Sequence, residues 1–292
     1  MKYISEEELN ALIAQWFKED IGDGDHTSLS SIPSDAEGCQ QLIIKEEGIL
    51  AGVEVAQHVI RYFDPALRCE VFLKDGTHVR PGDIAFRVYG KVISLLQVER
   101  TMLNIMQRMS GIATTAHRYQ SLINDTGCRV LDTRKTTPGL RLLEKEAVAI
   151  GGGTNHRIGL FDMILLKDNH VDFAGSVTNA IRRAQQYCKD KHKDLRIEIE
   201  VRNEKELQEA LATNGADRIM LDNYTPADTR KAVEEVREWE NANGRHIEIE
   251  SSGGITIDTI RDYALAGVDF VSVGALTHSV KSLDMSFKAV KQ

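Results

Sequence analysis

The stretch RIEIEVRNEKELQEALATNGADRIMLDN, residues 196–223, decides the fold. Its opening, RIEIEVR (196–202), reads as a short strand that ends in polar residues. NEKELQEALATNG follows, with Leu207, Ala210 and Leu211 at helical spacing and Gly215 as the stop. RIMLDN (218–223) then starts a second strand. Strand, helix and strand in so short a span make a βα unit.

Working outward, the unit recurs. CRVLDTRK (128–135), DMILLKDN (162–169), HIEIESSGG (246–254) and FVSVGA (270–275) read as further strands, with helix-length segments between them. Their starts lie about 22–34 residues apart, the spacing of βα units. Alternating strands and helices predict a parallel sheet covered by helices. Six units predict an α/β barrel, irregular or incomplete, with a doubly wound open sheet as the alternative.

Upstream the texture differs. Leu9, Leu12, Ile13, Trp16 and Phe17 predict a helix over 5–19, capped by Ser5 with Glu8 three residues on. Residues 39–53 predict a strand and a turn, and 69–93 short strands separated by KDG, PGD and YGK turns. This half reads as mixed α and β. A long helix is expected over 94–123, interrupted by Gly111, so the domain junction is placed near 112–116. The expected division is 1–114 for the N-terminal domain, 115–275 for the barrel, and a C-terminal helix over 276–292 packing back on the first domain.

Composition narrows the function. The 292 residues carry a net charge of −8, with 42% hydrophobic and 27% charged residues, ordinary for a globular enzyme. An acidic chain gains no bulk attraction for nucleic acid, so no nucleic-acid partner is expected. No run of about 18 apolar residues suggests a membrane span. The acidic, amphipathic N-terminus is no signal peptide. Cys39, Cys69, Cys128 and Cys188 form no CxxC pair, which fits reduced thiols and a cytoplasmic location.

In a barrel of this kind the working residues lie at the C-terminal ends of strands. Those ends read Asp132-Thr133-Arg134-Lys135, Lys167-Asp168-Asn169-His170, Glu200-Val201-Arg202, Asp222-Asn223, Glu250-Ser251-Ser252-Gly253-Gly254 and Gly274-Ala275. The loop GGGTNHRIG adds His156 and Arg157. Singly, a Lys or Arg after a strand is more often solvated surface than site. Together, Arg134, Lys135, His156, Arg157 and Lys167 would project to one mouth, and crowded like charges call for an anion. Arginine pairs with carboxylate and phosphate alike. Glu200 and Asp222 could pair with these cations, bind sugar hydroxyls, or hold a hard divalent cation through water. SSGGI and VGA are small-residue turns suited to a phosphate. GGGTNHRIG is no dinucleotide fingerprint, because His156 stands where that pattern needs glycine, and no GxxxxGK[ST] occurs. Lys135 or Lys167 as a Schiff-base nucleophile explains the basic neighbours less well than anion binding does.

Glu99-Arg100-Thr101, LDTRKTTPGLR, GGGTNHRIGLFDMILLKDNH, EIEV, LDN, SSGGI and SVGALTHS occur in that order. The set resembles the quinolinate phosphoribosyltransferases, also called carboxylating nicotinate-nucleotide pyrophosphorylases, over most of the chain. The resemblance implies an N-terminal α/β sandwich plus an irregular α/β barrel. It implies that quinolinate and phosphoribosyl pyrophosphate give nicotinate mononucleotide, pyrophosphate and carbon dioxide, with Mg²⁺, in NAD synthesis. It implies a homodimer, or a hexamer of dimers, with active sites shared between subunits and Arg100 supplied by the partner subunit. Thr133, Arg134, Lys135, His156, Arg157 and Lys167 would then bind substrate. Glu200 and Asp222 would face ribose hydroxyls and metal, and with Lys135 would be catalytic. Ser252, Gly253, Gly254 and Gly274 would hold the 5-phosphate, with His278 nearby. Action on nicotinate itself, or a binding protein without turnover, are the competing readings; the second should have lost some of these residues, and all are present.

Overall fold

The computed structural model describes residues 1–290. In chain order the N-terminal elements are α1 (Glu6–Ile21), α2 (His26–Ser31), β1 (Glu37–Ile44), β2 (Gly48–Ile49), α3 (Val53–Phe63), β3 (Arg68–Val71), β4 (His78–Val79), β5 (Ile84–Lys91) and α4 (Val92–Ser121). There follow β6 (Arg129–Leu131), α5 (Arg141–Ile150), β7 (Ile164–Leu166), α6 (Asp168–Ala174), α7 (Val177–Asp190), β8 (Ile197–Val201), α8 (Glu204–Thr213), β9 (Arg218–Asp222) and α9 (Pro226–Asn243). The chain closes with β10 (Glu248–Ser252), α10 (Ile260–Leu265), β11 (Phe270–Ser272), α11 (Ala275–His278) and β12 (Met285–Ala289). No helix among the described residues is long and apolar enough to cross a membrane.

Two compact units emerge. The first comprises Met1–His117, Thr136–Gly152 and the chain from Leu276 onward. Its four-stranded antiparallel sheet runs β12-β1-β5-β3. Leu42 and Ile44 of β1, Phe86 and Val88 of β5, and Leu9 and Ile13 of α1 are fully buried in it. The N-terminus of α1 carries the expected capping box between Ser5 and Glu8.

Two expectations need correction here. The segment 276–292 is not a C-terminal helix: beyond α11, Met285–Ala289 is a strand paired antiparallel with β1. Met285 and Phe287 are buried while Lys288 is exposed, an alternation of period two that suits a pleated edge better than a helix face. Gln292 and its neighbour Lys291, the end of the expected helix, lie outside the described residues.

Nor does Gly111 interrupt the long helix, since α4 continues through it to Ser121. A Cβ at Gly111 would run into the carbonyl oxygen of Lys281, so the residue marks a close approach of chain to helix. Gly111→Ala should therefore cost about 1–3 kcal/mol through overpacking. Thermal unfolding checks this, with a midpoint lowered by several degrees expected.

The second unit comprises Arg118–Lys135 and Gly153–Ala275. Its six strands are all parallel, in the order β6-β11-β10-β9-β8-β7. From β7 onward each strand lies beside its predecessor, and the last returns to lie beside the first. That cyclic order is a barrel's, opened between β6 and β7, and it excludes the doubly wound sheet, whose order reverses at a switch point. Thr154 adds one parallel bridge to Leu131 on the open side of β6. Because the strands are parallel, their C-terminal ends share one mouth.

Candidate active site

A cavity of about 310 Å³ opens at that mouth. Thr133, Arg134, Lys135, His156, Arg157, Lys167 and Ser252 line it, with Leu165, Met220, Glu250 and Ser272 from the strands. The structure thus brings together all five of the basic residues expected there. A second cleft, about 340 Å³, lies by the starts of α8 and α9. Its lining includes Glu204, Asp228 and Glu235, so it does not suit the same anion.

Buried Asp132, just beyond β6, organises the approach. Its two oxygens accept the His156 backbone N–H at 2.8 Å and the Asn155 side-chain amide at 2.6 Å. These bonds dock the glycine-rich loop against the turn that carries Arg134 and Lys135. Lys135 N–H bonds Thr133 Oγ1 at 3.1 Å within that turn. Asp162 closes the far side of the loop by accepting the N–H groups of Ile158 and Gly159.

The electrostatics are those of an anion site. Burial and the nearby Arg134 guanidinium both oppose the charge on Arg157, holding its pKa below the usual range. A guanidinium opposed in this way is stabilised by a bound anion. Lys167 Nζ is 2.8 Å from Glu200 Oε2. Glu200 Oε1 also faces the Asp168 N–H at 3.4 Å. Asp222, at the end of the neighbouring strand, has its pKa raised by burial and by Glu200. Two carboxylates that repel each other at one mouth form an oxygen-rich donor pair suited to a hard divalent cation.

The glycine turn follows β10. Gly253 and Gly254 have φ of 101° and 61°, where an L side chain is strained. Gly274 lies two residues past the end of β11, the strand paired with β10. Of the expected phosphate residues only Ser252 lines the cavity. Arg100 is exposed on α4 and His278 is exposed on α11 with Nδ1 2.6 Å from Ser279 Oγ; both belong to the first unit and neither lines the cavity.

Below the cavity lies a charged layer that strand-end reading missed. Arg218 bonds Glu248 at 2.8 Å and Glu250 at 3.2 Å, and Arg196 reaches Glu248 at 2.6 Å. His156 Nε2 is 3.0 Å from Glu198 Oε2 and 3.4 Å from Glu250 Oε2. Burial, then Glu250, pushes Glu198 upward, while His156 and Arg218 hold Glu250 down against its own burial. The signal was present: IEIEV and EIESS alternate, which sends Glu198 with Glu200, and Glu248 with Glu250, to one face of their strands. Register then sets Arg218 beside both Glu198 and Glu248.

Comparison with known proteins gives a consistent picture. Residues 25–110 match the family described as quinolinate phosphoribosyl transferase, N-terminal domain, and 112–288 match its C-terminal domain. The chain is 43% identical to the chloroplastic nicotinate-nucleotide pyrophosphorylase [carboxylating] of Oryza sativa subsp. japonica, over 96% of this chain and 77% of that one. It is 41% identical to the probable nicotinate-nucleotide pyrophosphorylase [carboxylating] of Bacillus subtilis, over 96% and 92% of the two chains. The solved nicotinate-nucleotide pyrophosphorylase of Francisella tularensis superposes with a TM-score of 0.90 at 36% identity, covering 98% of each chain.

Proposed function

Because this chain belongs to the quinolinate phosphoribosyl transferase family, we propose that it joins quinolinate to phosphoribosyl pyrophosphate, releasing pyrophosphate and carbon dioxide and leaving nicotinate mononucleotide for NAD synthesis. The observation that carries this reading is the cavity lined by Arg134, Lys135, Arg157 and Lys167, where Arg134 opposes the charge on Arg157. A dicarboxylate relieves that repulsion; a monocarboxylate such as nicotinate relieves less of it.

Arg134, Arg157 and Lys167 orient quinolinate so that its ring nitrogen attacks the anomeric carbon of the ribose. The bond from that carbon to pyrophosphate breaks, with the electron pair leaving on the pyrophosphate oxygen. Lys135 stabilises the departing charge. Glu200 and Asp222 face the ribose, where their negative charge stabilises an oxocarbenium-like transition state. The ribosylated nitrogen is positive, so the adjacent C–C bond can break, its electron pair passing to the ring and its carboxylate leaving as carbon dioxide. The ring carbon then takes a proton. The protein supplies orientation and fixed charge without a covalent intermediate. Glu200 and Asp222 would hold Mg²⁺, directly or through water, which when bound supplies charge neutralisation for pyrophosphate.

The working form is a homodimer in which Arg100 of each subunit completes the partner's site. The exposed Leu160, Phe161 and Phe173 favour a covered surface, at 73%, 73% and 90% exposure. The test uses two inactive variants. Arg100→Ala and Lys135→Ala proteins, each weak alone, should regain up to about a quarter of wild-type activity when mixed in equal amounts and allowed to exchange, because about half the dimers are mixed and one of the two sites in each is intact. Pyrophosphate release in the mixture that equals the sum of the separate variants would overturn the shared site. Absence of quinolinate-dependent pyrophosphate release by the unaltered protein would overturn the function.

A further inference from the structure

His156 lines the cavity, yet both of its ring nitrogens are engaged inside the protein. Nδ1 accepts the backbone N–H of Arg157 at 2.7 Å. Nε2 faces the carboxylates of Glu198 and Glu250 at 3.0 and 3.4 Å. The ring is buried, and its own backbone N–H is fixed by Asp132 at 2.8 Å. What remains for the cavity is ring carbon. We propose that His156 is a positioning residue: a neutral strut, protonated on Nε2, that fixes the Arg157 main chain against the Glu198–Glu250 pair and makes no hydrogen bond to substrate.

The charges around the ring set two opposed demands. Burial disfavours the imidazolium, while Glu198 from β8 and Glu250 from β10, taken by themselves, favour it and pull the pKa upward. Arg157 on the same loop opposes them through its N–H: a proton on Nδ1 would set two donors head to head at 2.7 Å. Arg218 from β9 opposes them too, since its guanidinium, 3.2 Å from Glu250 and 3.8 Å from Glu198, already neutralises part of the carboxylate charge. The same three side chains, His156, Glu198 and Glu250, have the spacing to surround a metal ion. Arg218 fills the cationic role there, and a metal on Nε2 would compete with it for both carboxylates. The Nε2–H tautomer meets every contact at once: a lone pair for Arg157 N–H and a proton for the acidic pair.

A strut of this kind explains why a residue with no free nitrogen stands in the GGGTNHR loop. Arg157 is half-buried, and its guanidinium also reaches the Met163 carbonyl at 3.3 Å. Fixing its main chain through the ring narrows the positions its guanidinium can take, and a bidentate grip on a carboxylate depends on that geometry.

The inference rests on reading the cavity as the quinolinate site, but its first test does not. In unliganded wild-type protein labelled with ¹⁵N-histidine, the His156 resonances, assigned by their loss in His156→Asn, should show bare Nδ1 and protonated Nε2 from pH 6 to 8. They should keep that pattern when quinolinate is added. Two protonated nitrogens in that range, or a ring-nitrogen shift signalling a new hydrogen bond to quinolinate, would overturn the proposal. A second test separates strut from substrate contact. His156→Asn keeps an acceptor near the Nδ1 position and should hold kcat/KM for quinolinate within about tenfold of wild type, with an unaltered pH profile, whereas His156→Ala should lose roughly 100-fold, mainly in KM. Equal losses in the two variants would contradict the strut. If wild type neither binds nor turns over quinolinate, the functional reading fails, while the unliganded tautomer still decides the strut.

Discussion

Arg157→Ala is expected to lower kcat/KM for quinolinate by about 10²–10³-fold while KM for phosphoribosyl pyrophosphate changes only a few-fold. The size follows from what the side chain faces. Its guanidinium is half-buried, opposed by Arg134, and held in place by the Met163 carbonyl. Truncating one partner of a desolvated charge pair typically costs about 2–5 kcal/mol. At 1.36 kcal/mol per tenfold in rate, about 3–4 kcal/mol gives the stated loss. Arg157→Lys should recover little, because an ammonium cannot reproduce the planar fork. Steady-state kinetics with each substrate varied in turn checks the split. An equal rise in both KM values would place Arg157 elsewhere than in the dicarboxylate pocket.

Gly253→Ala disables the protein by a different route. The residue has φ of 101°, which strains any L side chain. An added Cβ would run into Asn223 Oδ1 and stand 2.7 Å from Asn223 Cγ. Asn223 cannot yield cheaply. It is itself in the left-handed region at φ 57°, its N–H bonds the Ser252 carbonyl at 2.9 Å, and its amide bonds Asp222 at 2.8 Å. Displacing it moves Asp222 and Ser252 together, so the ribose side and the phosphate side of the site shift at once. The expected result is a stability loss of about 2–4 kcal/mol from strain and overpacking. With it goes a rise in KM for phosphoribosyl pyrophosphate of at least about tenfold. Gly254→Ala, where nothing lies within 4 Å of the added carbon, should cost much less, limited to backbone strain. Calorimetry and kinetics on the pair distinguish the two. Equal behaviour would mean that Asn223 does not lock the turn.

Much of this was legible in the chain. All six barrel strands appear where the sequence placed them, the shorter ones as apolar runs that change to polar at the C-terminal end and IEIEV as an alternating segment. Arg134, Lys135 and Lys167 could be brought to one mouth on that logic alone. The parts that were not legible share a cause: they depend on partners far away in sequence. Met285–Ala289 is a strand because β1 offers it an edge across the whole chain. Gly111 looks like a helix breaker until Lys281 is seen against it. Glu198 and Arg218 had no role in the sequence reading, and only the parallel register joins them with Glu250 in a buried network. His156 shows the same limit in miniature, since residue type suggested a cation for substrate and only the 2.7 Å contact with the Arg157 N–H shows the ring nitrogen already taken.

The cation-lined cavity is read as binding a pyridine dicarboxylate and coupling its ribosylation to loss of one carboxylate. The most direct measurement is a single-turnover assay with quinolinate labelled in the carboxylate next to the ring nitrogen, with phosphoribosyl pyrophosphate and Mg²⁺. Labelled carbon dioxide and nicotinate mononucleotide are expected in equal amounts, with neither formed when phosphoribosyl pyrophosphate is omitted. Carbon dioxide released without phosphoribosyl pyrophosphate, or nicotinate used in preference to quinolinate, would contradict it.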